Sequence, residues 1–235
     1  MAFLLGPQAV LVLAAFIFLI AAVPLMRTAE PTQRYQKLKF GGFPWHLIRK
    51  TAAAKFAFGF DVFTSGNAWS LFVAVTIIGI QATNEVYAIN GLLLSVVVFA
   101  ALGSSYVYGR LIDRRRGWEL LQVAVVVNAL THLTRPFIGT TVAAAGLNAV
   151  NEAATSGYAM AYNRGIFDNA DLSGRRILYI GIGEVIACLG AAFSALFLGF
   201  LAMFFEEGRS LQLLFVLTAG VVLLILTARF PLYHK

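Results

Sequence analysis

The sequence predicts an all-α, polytopic membrane protein on three observations. Hydrophobic residues fill 60% of the 235 positions and charged residues only 12%, with a mean hydropathy of +0.80, whereas a soluble domain carries about 25% charge. The apolar residues come in runs of about 20 or more, the length at which a helix crosses a bilayer. In lipid the backbone must satisfy its own hydrogen bonds, so these runs are helices. Finally, the net charge of +7 is gathered in short stretches between the runs, where cations set topology. That distribution argues for a lipid bilayer rather than nucleic acid as the surrounding partner.

Seven spans are expected, at about 3–26, 54–80, 86–109, 118–138, 139–162, 176–203 and 210–230. The first lacks a basic leader and a small-residue cleavage site, so it reads as a retained helix and not a signal peptide. It is followed by a basic linker, 27–53, with Pro31, Pro44, Gly41 and Gly42. Within the linker, FPWHLIRK either lies along the membrane with Phe43, Trp45 and Leu47 at headgroup level or is a solvated connection. Residues 54–235 then form a six-helix half-domain. Sixteen of the eighteen Lys and Arg fall on one side of this alternation, leaving Arg135 and Arg209 on the other. The positive-inside rule makes the first side cytoplasmic, with the N-terminus outside and the C-terminus inside. The plasma membrane is the expected location.

The second span carries Lys55, Asp61, Thr64, Ser65 and Asn67. Polar groups at membrane depth are costly unless paired or facing water. Asp61 either pairs with Lys55 or binds a proton or cation in a pathway. The third span ends at Gly109 and enters the turn Arg110-Leu111-Ile112-Asp113-Arg114-Arg115-Arg116. In the fourth, Asn128 and His132 share a face, and Arg135 is expected to reach the outer surface. His132 is expected to make an interhelical hydrogen bond, with proton relay as the alternative. The fifth span places Asn148, Asn151, Glu152 and Thr155 at i, i+3, i+4 and i+7, one stripe on a helix. Such a stripe faces a cavity or a partner helix. The sixth repeats glycine at 181, 190 and 199, which predicts a tight helix–helix seam. Its Glu184 is expected to pair with a loop arginine, Arg114 or Arg176. The seventh is almost wholly apolar. Polar helices at the head of each triplet suggest an inverted three-plus-three repeat.

The turn Gly109-Arg110-Leu111-Ile112-Asp113-Arg114 resembles the Gly-x-Leu-x-Asp-Arg motif of the major facilitator superfamily, although Arg116 stands where that motif has its next glycine. The six helices resemble the C-terminal half of that fold, with the first span like helix six. This resemblance implies a gating role for Gly109, Asp113 and Arg114, and a cavity lined by the second and fifth spans. It also implies a missing N-terminal half, supplied by a longer chain, a second transporter half or a homodimer.

The expected function is secondary active transport of a small-molecule solute by alternating access, coupled to a proton or another cation. The alternative is a scaffold, or a half-transporter subunit, that docks a partner through its polar helix face. Candidate pathway residues are Asp61, Asn67, Asn148, Asn151, Glu152 and Thr155, with Glu184 as a possible charge partner. No nucleophile–base pair, metal-ligand spacing or phosphate loop is apparent, so neither enzymology nor a cofactor is expected. The last span has no lysine for a retinal Schiff base.

Overall fold

The computed structural model describes residues 12–20, 23–24, 40–79 and 83–231, with side chains omitted for 83–88. Much of the expected first span and most of the basic linker lie outside these residues. Residues 12–20 are helical. A short helix, α1 (Trp45–Arg49), precedes six longer ones. These are α2 (Ala52–Ile78), α3 (Thr83–Asp113), α4 (Gly117–Thr134), α5 (Thr141–Leu172), α6 (Arg176–Ala202) and α7 (Glu207–Val222, continued as a 3-10 turn over Leu223–Thr227). The described residues contain no strand.

Four of these segments are long and apolar enough to cross a membrane: Ala52–Ile78, Ile89–Asp113, Arg176–Ala202 and Glu207–Thr227. In α4 and α5 the polar residues Asn128, His132, Asn148, Asn151 and Glu152 dilute the apolar run. The fifth helix also runs ten residues beyond its expected end at 162, to Leu172. Thr140 starts it, accepting a hydrogen bond from the Ala143 amide at 3.3 Å, as an N-cap does.

Residues 43–48 join the bundle. Phe43, Leu47 and Ile48 are buried in the same core as Tyr158, Tyr162 and Tyr179, while Trp45 stays exposed. Among the described residues, the core thus includes side chains from Phe43 onward, ahead of position 54.

The closest helix pair is α2 with α6. A Cβ on Gly59 would lie 1.8 Å from the Ala187 carbonyl oxygen, and one on Gly190 would lie 2.0 Å from that of Phe56. Gly181 and Gly199 face open space, so the nine-residue glycine repeat is not a continuous seam. At 100° per residue, nine residues turn a helix by half a revolution, and only the middle glycine meets α2. A polar tie adds to this seam. Thr64 lies 3.0 Å from the Ser194 hydroxyl and accepts from Thr218 at 3.2 Å, linking α2, α6 and α7.

The turn from α3 to α4 ends in a Schellman arrangement. The Arg116 amide donates to the Leu111 carbonyl at 3.0 Å and the Arg115 amide to that of Ile112 at 2.9 Å. Arg115 takes the left-handed position, with φ +61°, where glycine is usual. The equivalent place after α5 is held by Gly174, φ +64°. Arg115→Gly is expected to stabilise the protein by about 1 kcal/mol, read as a rise in midpoint in thermal unfolding of the purified protein. A fall in the midpoint would contradict this reading of the turn.

Candidate functional site

Asp61 lies at the meeting point of α2, α4 and α5, fully buried. Four side chains donate to its carboxylate. Ser65 and His132 Nε2 reach Oδ1 at 2.9 and 2.6 Å. Asn128 Nδ2 reaches Oδ2 at 3.0 Å, and the Tyr158 hydroxyl donates to the same oxygen. A carboxylate offers about four lone-pair positions, so this one is saturated as an anion.

The charge that answers it is Arg135, one turn beyond His132 and 1% exposed. Its Nη1 lies 3.0 Å from His132 Nδ1. A guanidinium has donors only, so Nδ1 accepts and the imidazole proton sits on Nε2, facing Asp61. A neutral histidine thus bridges a cation and an anion. Arg135 Nη2 donates to Asn151 Oδ1 at 3.0 Å and approaches Ser65 Oγ at 3.4 Å. The guanidinium also lies over the Trp69 and Phe215 rings, at 5.0 and 5.4 Å. Its Nε has no hydrogen-bond partner among the described residues. Arg135 does not snorkel to the surface as expected. The N-terminal half of α7 closes over the 3-10 turn Arg135–Phe137, where Gln212 donates to the Pro136 carbonyl at 3.2 Å.

Beside this network a cleft of about 280 Å³ opens between α2, α3 and α5. Asn148, Asn151, Glu152 and Thr155 line one side, so the α5 stripe faces both the cleft and the charge network. Leu93, Leu94 and Val97 of α3 supply apolar lining, with Asn90 on the same helix. Trp69 and Arg135 also line it, and Trp69 donates from Nε1 to Asn148 Oδ1 at 2.6 Å. Two π-helical stretches, Thr64–Ala68 and Val73–Ile78, interrupt α2 here. Such irregularities gather at functional sites.

The remaining candidates lie elsewhere. Asn67 is exposed and is not among the residues lining the cleft. Asp113 and Arg114 are exposed at the end of α3, and neither forms an ion pair with a described residue. Glu184 pairs with Lys55 at 2.8 Å, and not with Arg114 or Arg176; Arg176 instead pairs with Asp171 at 3.0 Å. Lys55 is thereby unavailable to Asp61. Its side chain is 5% exposed, and its ammonium also sits 5.1 Å from the Phe58 ring. Glu184→Ala is expected to cost about 2 kcal/mol, the worth of a charged hydrogen bond to a buried group. Denaturant titration would read it, and an unchanged midpoint would mean that Lys55 is satisfied by water.

Sequence reasoning left Ser65, Trp69, Asn128, His132, Arg135 and Tyr158 out of the candidate pathway. No metal-binding group of His, Cys, Asp and Glu occurs among the described residues. Comparison with family models, curated proteins and solved structures finds no match to this chain.

Proposed function

We propose that this chain is a secondary active transporter, or the C-terminal half of one, and that the Asp61–His132–Arg135 line couples cation or proton binding to the movement of a small solute through the α2–α3–α5 cleft. The observation that carries this reading is a charged line buried among helices, with one end at a cleft. Ionisable groups at membrane depth are costly and are kept where they serve a pathway.

The line has a built-in exclusion. Arg135 holds His132 Nδ1 as an acceptor. A proton arriving at Nδ1 makes that nitrogen a donor, and two donors cannot share the position. Proton uptake at His132 therefore expels the guanidinium from it. The charged or titratable groups facing this histidine are Asp61 from α2 and Arg135 beside it, with Tyr158 from α5 reaching it through Asp61. Freed, Arg135 has only Asn151, Ser65 and the cleft before it. Proton and guanidinium thus compete for His132 Nδ1, and a displaced guanidinium changes the charge that a solute meets in the cleft, the differential interaction that coupling requires.

In this reading the chain has seven spans with the N-terminus outside, and six of them form an inverted repeat. A second transporter half or a second copy closes the cleft. The exposed apolar side chains of α3, among them Leu92, Leu94, Phe99 and Leu102, suit burial in lipid or against that half. Asp113 and Arg114, exposed at the end of α3, are available to a partner across the seam.

The test is uptake into proteoliposomes. With an inward proton gradient, a panel of labelled polar solutes is screened for accumulation. Gradient-driven accumulation of at least one is expected, lost in Asp61→Asn and in Glu152→Gln while both variants still assemble. Failure of the wild-type chain to move any of them, alone or with a partner half, would sink transport and leave the docking scaffold.

A further inference from the structure

The cleft contains one acidic side chain that no described cation pairs with. Arg135 and Asp61 neutralise each other through His132, so their sum is zero. Glu152 is different. Its described partner is the Ser156 hydroxyl, one turn along its own helix at 3.1 Å, and no described cation forms an ion pair with it. It is half-buried and lines the cleft. A carboxylate at membrane depth without a cation is unfavourable until something positive arrives. With Glu152 as a carboxylate, the described residues of the cleft and its charged network sum to one negative unit.

The walls narrow the choice. Leu93, Leu94 and Val97 present hydrocarbon on one side and Trp69 an aromatic ring on another, while Asn148 and Thr155 offer polar atoms near Glu152 on the α5 side. A bare inorganic cation would leave the apolar side chains of α3 and the Trp69 ring unused. A neutral polar solute would leave Glu152 unanswered. The volume, about 280 Å³, lies just below the range of about 300–1,000 Å³ usual for organic ligand pockets, which limits the occupant to a small one.

We propose that the cleft is the binding site of a small amphiphilic monocation, an amine with an apolar or aromatic body, and that Glu152 is its counter-ion. Its ammonium lies against Glu152 with Thr155 in reach, and its body lies between Trp69 and the α3 wall. The proposal rests on the transport reading for its biological sense, but the site can be tested without flux.

The test uses the full chain in lipid nanodiscs and three probes with similar aromatic bodies: phenethylamine, phenethyl alcohol and phenylpropionate. Binding is measured by equilibrium dialysis. The amine is expected to bind at least about tenfold more tightly than the alcohol, and the anion most weakly, as charge pairing in a low-dielectric cleft demands. Glu152→Gln should abolish the preference for the amine over the alcohol, whereas Glu152→Asp should keep part of it. Leu94→Trp, which fills the cleft from an exposed position, should weaken the amine without touching the carboxylate. Equal binding of amine and alcohol, a preference that survives Glu152→Gln, or no binding of the amine would each overturn the proposal. Charge-selective binding without uptake in proteoliposomes would instead remove the transport reading and leave the site. Gradient-driven uptake of a neutral solute alone would remove the site and leave transport.

Discussion

Replacing Asp61 with asparagine is expected to cost about 3–5 kcal/mol, the penalty for leaving a buried charge without its partner. The loss is more than one hydrogen bond. Arg135 stays buried with no anion nearby, and the asparagine amide turns a donor toward Asn128 Nδ2 and the Tyr158 hydroxyl, both of which donate to Oδ2 in the wild type. Arg135→Gln should cost a similar amount for the mirrored reason. The double variant Asp61→Asn/Arg135→Gln removes both charges and leaves a neutral, hydrogen-bonding core. It should recover about 1–3 kcal/mol relative to the sum of the singles, the usual coupling in a contacting network. Unfolding titrations of the four proteins in lipid–detergent mixtures would measure it. Additive losses would mean that the two charges do not sense each other through His132, and the coupling mechanism would fail with them.

How far this site is legible in the sequence depends on which helix carries it. The α5 stripe follows from spacing alone, because 148, 151, 152 and 155 repeat on one face whatever surrounds them. The same arithmetic applies to α4. Asn128, Thr131, His132 and Arg135 have that same spacing, and Thr131 donates to Asn151 Oδ1 across the helix pair at 3.1 Å. That stripe is partly hidden because Arg135 precedes Pro136, at a helix end where an arginine ordinarily reaches water. The approach of α2, α5 and α7, with Trp69, Asn151 and Phe215 against the guanidinium, buries it, and no local pattern announces that approach. The Lys55–Glu184 pair is hidden for a related reason. Its members are 129 positions apart, and charge alone does not rank Lys55 above the nearer arginines. Most helix limits of the six-helix unit, by contrast, agree with the apolar runs within a few residues. The exception is α5, whose last ten residues mix polar and charged side chains beyond the run.

The seam between α2 and α6 gives the second large effect. Gly59→Ala places a methyl 1.8 Å from the Ala187 carbonyl oxygen, and Gly190→Ala places one 2.0 Å from that of Phe56. The atoms met are backbone, so no rotamer change relieves the clash, and the helices must part. Overpacking usually costs 1–3 kcal/mol, and here each substitution is expected at or above the upper end, about 3 kcal/mol. Parting the helices would also stretch the Thr64–Ser194–Thr218 tie and shift α2, which carries Asp61, Ser65 and Trp69. Gly190→Ala should therefore weaken solute binding in the cleft as well as stability, although Gly190 does not line it. The control lies on the same helix. A Cβ on Gly199 meets nothing within 4 Å, so Gly199→Ala should be neutral or stabilising by up to about 1 kcal/mol, the ordinary gain of alanine over glycine in a helix. Equal losses at 190 and 199 would mean that glycine serves α6 through its flexibility. A loss confined to 190 would tie it to the close approach of α2, the helix that holds the buried carboxylate.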